Sequence, residues 1–392
     1  MHNSSCLPLM NIALNAVALA PGRMGGGETY FRNLVASLQE VDASNDYYLI
    51  CNERYVKSFQ LSTSRFRPLA CSYCKPSPLW YLRAAIRTVS TFDMLRPFMN
   101  QLKVDIIHHP FSILQPMNHT IPSVLTFHDM QHEFFPGNFS SYALRARKML
   151  WKPSAELATR IIAISGHAKE CLVERYEIDP DKIDVVYNGY SPQFRIIDNH
   201  EVLDSVRTRL GLHKPFMYYP AATWPHKNHK RLLMALRTMK DRYGFDGQLV
   251  LSGIAMQAND EVLQEIVRLG LRDNVTVLGY LPYIDLPCLY NLARLMVFPS
   301  LYEGFGIPLV ESMACGCPVA CSNVASFPEV TGDVALTFDP YSAEDMAEKI
   351  WTLWSNDSLR SDLKTKGLER VGLFSCENTA RQTMDVYKKA IR

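Results

Sequence analysis

One rhythm constrains this chain more than any other feature: short, nearly unbroken apolar runs alternate with longer amphipathic stretches from end to end. In the first half the runs are MNIALNAV, DYYLICN, VDIIHHP, SVLTFHD, RIIAIS and IDVVYNG. In the second they are FMYYPAAT, QLVLSG, VTVLGYL, LMVFPS, PVACS and VALTFD. Between them lie helix patterns such as GGETYFRNLVASLQE, HKNHKRLLMALRTMKDRY and DEVLQEIVRLGL. Strands apolar on both faces belong in parallel sheets covered by helices on each side. A dozen strands are too many for one such sheet, and 392 residues are too many for one core. The polar, irregular stretch NGYSPQFRIIDNHEVLDS, residues 188–205, is the natural break. The fold class is therefore α/β, with two doubly wound, Rossmann-like domains facing across a cleft. Their expected bounds are 1–190 and 191–370, with 371–392 a C-terminal helix that crosses back to the first domain.

Hydrophobic residues at 47% and charged residues at 20% describe a globular protein and argue against a disordered one. The formal net charge of +2 is uninformative, but its distribution is not. Arg54, Lys57, Arg65, Arg67, Lys75, Arg83, Arg87, Arg96 and Lys103 face the single acid Asp93, and Arg145, Arg147, Lys148 and Lys152 cluster beside Trp151. A basic N-terminal half suits either an anionic acceptor or peripheral association with a membrane surface, or simply solvated helix faces. No nucleic-acid motif is present. Ten cysteines, Cys6, Cys51, Cys315, Cys317 and Cys321 among them, read as reduced, buried thiols. CSYC and CGCPVAC lack the second Cys/His pair of a zinc site, so no metal is expected. The N-terminal stretch has no basic n-region and reads as a buried strand rather than a signal. Without a run of about 20 apolar residues, the expected location is cytoplasmic, peripherally at the inner face of the membrane.

Open parallel sheets bind ligands at the carboxyl ends of their strands, so chemistry should follow the strands directly. After LMVFPS comes LYEGFGIPLVESMACG, with Glu303 and Glu311 flanking Gly304, Phe305, Gly306 and Ile307. Glycines let the backbone approach a ligand, and a helix start offers N–H groups to an anion. A carboxylate such as Glu311 is a strong acceptor for the vicinal hydroxyls of a ribose. An acidic helix start that complements the dipole is the bland alternative for one acid, not for two. YYPAATWPHKNHKRLL also leaves a strand, placing Lys227 where an ammonium neutralises a diphosphate, with His226 as a second donor. Gly25, Gly26 and Gly27 precede a helix carrying Glu28 and form a phosphate or acceptor loop, though without the GxGxxG fingerprint. His128 and Asp129 close another strand, and His128-x-x-x-His132 imitates HExxH without the helix that motif needs. His108 and His109 end a further strand, lining the cleft or capping the sheet.

Taken together, these residues resemble the retaining glycosyltransferases of the GT-B fold, in particular glycosyltransferase family 4, of the mannosyltransferase-like kind. The resemblance spans nearly the whole chain and is densest from Pro220 to Asp339. EGFGIPLVE looks like the family's E-x7-E signature, HKN at His226–Asn228 like its diphosphate segment, VVYNGYSPQF like the stretch that closes its first domain, and His128–Asp129 like its active-site histidine position. Many members carry an arginine five residues before the lysine; here that place is Ala222, and His226 stands beside the lysine instead. A histidine there implies a second phosphate contact that titrates near neutrality.

The resemblance implies hexosyl transfer from a nucleoside diphosphate sugar to a saccharide or lipid-linked saccharide, in cell-surface polysaccharide or glycan assembly. It implies retention of configuration by same-face attack, and no cofactor beyond the co-substrate. Lys227, His226 and the Gly304–Ile307 amides carry the leaving-group charge without a metal, Glu303 holds sugar hydroxyls, and His128 contacts the sugar or acceptor. The nucleobase is expected near Leu281–Asp285. Rival readings are a sugar-nucleotide epimerase of the same fold, a non-catalytic sugar-nucleotide-binding subunit, and a metalloprotein built on His108, His109, His128 and His132. In PSPLWYLRAAIRTVSTFDMLRPFM, the helical spacing of Leu79, Leu82, Ile86 and Val89 is the ordinary mark of a core face, a lipid-docking face being the alternative.

Overall fold

A computed structural model describes residues 9–22, 25–74, 77–89, 92–117 and 119–391. Cys6 and Lys75, and the side chains of Arg87 and Val89, lie outside what is described. Two parallel sheets organise the chain. The first takes β1 (Asn11–Asn15), β2 (Asp46–Cys51), β3 (Phe66–Ala70), β4 (Ile106–His109), β5 (Ser123–Phe127), β6 (Arg160–Ala163) and β7 (Ile183–Val185) in the order β3-β2-β1-β4-β5-β6-β7. The second takes β8 (Phe216–Pro220), β9 (Gln248–Ser252), β10 (Val275–Gly279), β11 (Leu295–Phe298), β12 (Val319–Ser322) and β13 (Ala335–Phe338) in the order β10-β9-β8-β11-β12-β13. Successive residues Ile12, Ala13 and Leu14 of β1 are all buried, as a strand covered on both faces requires. Each sheet reverses its winding once, between β1 and β4 and between β8 and β11. Those two switch points are where the loops diverge and leave room for a ligand.

The chain divides into two units, Met1–Met130 with Ser140–Gly189 and Cys376–Arg392, and Gln131–Phe139 with Tyr190–Ser375. Residues 131–139 therefore leave the first unit and fold with the second. The helix Cys376–Ala390 packs in the first unit, against the helix Gly26–Val41, and sends Ala380, Val386 and Tyr387 into the same core as Leu34 and Leu38.

Two departures from the sequence reading concern patterns that periodicity cannot resolve. β3 departs from the apolar-run pattern: it is an edge strand in which Arg67, Pro68 and Ala70 are exposed, and Pro68 cannot donate to a ladder. In the helix Pro78–Val89 the spacing of Leu79 and Leu82 does not mark a core face, for both are exposed. The inward residue is Arg83, fully buried and bidentate to Asp93 at 2.6 and 2.8 Å. A buried guanidinium must be paired, so the only acid in that basic stretch is committed to this contact.

Gly189 marks where the chain leaves the first unit, and Cys376 where it returns. A Cβ on Gly189 would lie 2.4 Å from the Cα of Cys376 and 2.5 Å from its nitrogen, backbone atoms with no rotamer to yield. Gly189→Ala is therefore expected to destabilise the first unit by about 1–3 kcal/mol. A thermal melt unchanged from the parent would show that the crossing is not that close.

Candidate functional site

The second unit places two loops at its switch point. From β8 the chain runs through a 3-10 turn, Pro225–Lys227, into the helix His229–Tyr243. Asn228 joins them at φ 63, a left-handed conformation that Asn tolerates better than most residues. Its Nδ2 donates to the carbonyls of Pro299 (3.1 Å) and Pro340 (2.8 Å), and its Oδ1 accepts from Arg231 at 3.1 Å. Tyr219 Oη donates to the Lys227 carbonyl at 2.7 Å, and the Leu301 amide donates to the His226 carbonyl at 2.8 Å. The loop after β8 is thus stitched to the loop after β11.

That stitching brings Lys227 and Glu303 together as an ion pair between Nζ and Oε1. Their side chains are 17% and 18% exposed, so a ligand can reach both. Nζ also stands 5.6 Å from the Phe298 ring centroid. Ser326 Oγ braces the next turn, donating to the carbonyls of Phe305 (2.9 Å) and Glu303 (3.2 Å). Gly306, at φ 93, precedes the helix Ile307–Ala314, and a Cβ there would meet Leu309 at 3.0 Å and Phe327 at 3.2 Å. The Phe305 side chain is buried against Phe374, so this turn can offer a ligand only its backbone and its outer edge.

Glu311 is far more enclosed than the partly exposed Glu303. It is buried, accepts from Tyr290 Oη at 3.1 Å, and is hydrogen-bonded by Tyr283. Glu303 acts electrostatically on Tyr219 and Glu311 on Tyr218, neighbours in β8 whose side chains leave opposite faces of the strand. Burial raises the Glu311 carboxyl from 4.5 to about 8, against the pull of the tyrosine hydroxyls. Tyr283 belongs to the 3-10 turn Tyr283–Asp285, inside the stretch where the sequence locates a nucleobase.

His226 is a neutral donor, and the expectation of a second cation titrating near neutrality is corrected here. Burial first, and then the Lys227 ammonium, lower its pKa to about 4, with Glu303 opposing. Gln131 Nε2 at 2.6 Å and Asn138 Nδ2 at 3.3 Å both donate to its Nδ1, which leaves the proton on Nε2. Both amides come from residues 131–139, the segment that folds with this unit. Nothing in the local sequence signals either contact, which spans 95 residues for Gln131.

In the first unit, Gly25 precedes the helix Gly26–Val41 at φ 53, and Glu28 ties the turn down by accepting from the Gly22 amide at 2.7 Å and from Arg32 at 2.9 Å. The ideal Cβ position of Gly27 is 4.0 Å from His128 Nε2, so the glycine turn and His128 are neighbours. His128 Nε2 donates to the Pro110 carbonyl at 2.7 Å, which makes Nδ1 the acceptor. Burial keeps its pKa low, opposed by the Pro110 contact and Asp129. His132 is buried in the four-residue helix Gln131–Phe134 of the second unit, so the HExxH-like spacing does not correspond to one helix face. His108 and His109 are buried within the first unit, and His109 borders a small pocket with Asn15 and Gln115. Among the described residues, no three His, Cys, Asp or Glu side chains gather at metal-binding spacing, and the nine described cysteines are all free and buried.

The sequence profile of the family described as Glycosyl transferases group 1 matches residues 204–370, and that of Glycosyltransferase Family 4 matches residues 24–194. The O-antigen chain mannosyltransferase B of Escherichia coli is 32% identical over 316 residues, 79% of this chain and 82% of that protein. The O-antigen chain mannosyltransferase RfbU of Salmonella typhimurium is 28% identical over 296 residues, 75% of this chain and 73% of that protein. Among solved structures, Anabaena Alr3699/HepE in complex with UDP and glucose superposes with a TM-score of 0.73 at 19% identity, covering 97% of this chain and 100% of that one. Sucrose-phosphate synthase from Thermosynechococcus elongatus superposes with a TM-score of 0.76 at 21% identity, covering 97% and 98%.

The protonated Glu311 has a consequence for stability. In the unfolded chain this carboxyl loses its proton near 4.5, whereas the folded protein keeps it to about 8. Across that window the folded state binds more protons, so stability falls as pH rises. Glu311→Gln removes that loss and is expected to raise the melting temperature relative to the parent more at pH 8 than at pH 5. An equal shift at both pH values would mean that Glu311 is already ionised.

Proposed function

This chain belongs to glycosyltransferase family 4 and has the GT-B fold, and from that premise we propose that it builds a cell-surface polysaccharide. In this reading it transfers a hexosyl group, mannosyl by analogy with the O-antigen relatives, from a nucleoside diphosphate sugar to a saccharide or lipid-linked saccharide. The Lys227–Glu303 pair at the β8/β11 switch point is the observation that carries the proposal. In an ion pair this enclosed, desolvation offsets much of the Coulomb attraction, so its place at a ligand-binding crevice needs another reason. A diphosphate would draw the ammonium from the carboxylate, freeing Glu303 to accept from sugar hydroxyls beside the reacting carbon.

The rest of the site supports the same scheme. His226 would add a neutral Nε2–H donor to the leaving phosphate, in place of the arginine that Ala222 lacks. The Gly304–Ile307 backbone would meet the same charge, and together these groups need no metal. Glu311, with Tyr283 beside it, would accept from the ribose and lie next to the nucleobase. Gly25–Gly27 and His128 would meet the sugar or acceptor, His128 through Nδ1. Retention would come from same-face attack, as in the family the chain belongs to; Asp129, next to His128, interacts electrostatically with Arg147.

No helix among the described residues is long and apolar enough to cross a membrane. The helix Pro78–Val89 nevertheless exposes Tyr81 (61%) and Leu82 (49%), and Arg96 and Lys103 are exposed further along the chain. We read these exposed residues as contacts with an anionic lipid surface, which would bring the enzyme to a lipid-linked acceptor.

Two experiments test these readings. Lys227→Ala and Glu303→Ala are each expected to reduce transfer about 10²–10³-fold, assayed in EDTA with a panel of UDP- and GDP-sugars, while melting close to the parent. Full transfer in either variant would overturn the site. Sedimentation with phosphatidylglycerol vesicles is expected to carry down the parent, and far less of Tyr81→Ser/Leu82→Ser; equal binding by both would remove the membrane reading.

A further inference from the structure

A line of buried hydrogen bonds crosses the first unit and ends beneath His128. Tyr387, on the helix Cys376–Ala390, meets His108 Nδ1 at 2.7 Å. His108 Nε2 meets Thr126 Oγ1 at 2.7 Å, and Thr126 Oγ1 meets Tyr30 Oη at 3.0 Å. Tyr387, His108 and Thr126 have no exposure at all and Tyr30 has 4%. The Tyr30 ring stands edge-on to the His128 imidazole, with centroids 5.2 Å apart at 80°. Tyr30 lies one helical turn after Gly27, which borders the same imidazole.

Proton bookkeeping makes the line a unit. Burial holds His108 neutral, with its pKa near 3, so it brings one proton, as does each hydroxyl. Neutral His108 donates through one ring nitrogen and accepts at the other, so its two bonds run in one direction; when Thr126 donates to His108 its single proton is spent and Tyr30 donates to Thr126. Reversing either His108 bond reverses the other, so the Tyr387 and Thr126 hydroxyls are coupled through the imidazole.

We propose that Tyr387 is a positioning residue for His128: the line Tyr387–His108–Thr126–Tyr30 holds the Tyr30 ring against the imidazole and thereby fixes where Nδ1 points. The last helix of the chain is on this view part of the site's support, and not only a cover for the core. The inference rests on the role given to His128 above, but the coupling itself does not need it.

The test uses the full chain labelled with 15N-histidine. Tyr387→Phe removes one oxygen and keeps the ring. It is expected to shift the ring nitrogen signals of His108 and also of His128, and to lower kcat about 10- to 100-fold with donor KM unchanged. Tyr30→Phe is expected to do the same, and the double variant to be no slower than the slower single one, because one unit is broken only once. His128 signals that stay in place in Tyr387→Phe would overturn the coupling, as would losses that multiply in the double variant. If the His128 signals move while kcat holds, the coupling stands and the role of His128 in transfer falls.

Discussion

The amide of Asn228 holds the loop after β8 against the end of β11. Its two donated bonds, to Pro299 and Pro340, reach chain segments that a parallel sheet would otherwise leave to diverge. Parallel strands on either side of a switch point send their connections to opposite faces, so the crevice between them is open by construction. Asn228 spans it from beneath, in a left-handed conformation that ends one turn and begins the next helix. Lys227, the residue before it, then has little freedom in where its ammonium goes. Ser326 does the equivalent work for the turn that carries Glu303.

Burial sets the charge of nearly every ionisable group around this framework. Desolvation is the largest cause lowering His226, His108 and His128, reinforced by Lys227 at His226 and by His128 at His108, and opposed by Glu303 at His226 and by the Pro110 carbonyl and Asp129 at His128. Glu311 keeps its proton for the same reason, with tyrosine hydroxyls around it in place of a cation. Lys227 and Glu303, by contrast, are partly exposed and form an ion pair with each other. A site in which one cation is paired with one carboxylate, within neutral donors, is suited to receiving a polyanion and releasing it again. Additional fixed positive charges would strengthen binding of the substrate and of the departing nucleotide alike.

Amphipathic periodicity reports which faces are apolar, and it is silent about which way an apolar face looks. In the helix Pro78–Val89, Leu79 and Leu82 repeat as core residues do, yet the helix is turned by the Arg83–Asp93 pair, and the leucines face out. β3 fails in the opposite sense: Arg67 and Pro68 interrupt any apolar run, yet the edge of the sheet accepts the strand. Central strands such as β1 and β11 are buried on both faces, and that pattern has no stable home except a parallel sheet between helices.

The alternation of runs thus established two doubly wound sheets, and the position of acids, glycines and Lys227 just after the runs established which loops to examine. Those are properties of neighbouring residues, and adjacency along the chain is enough to express them. Which carboxylate is ionised, which histidine nitrogen bears the proton, and which helix supports His128 depend on groups far apart in the chain: Gln131 with His226, Tyr290 with Glu311, Tyr387 with His108. Only folding brings such groups within hydrogen-bond reach and removes the water that would otherwise set their charge.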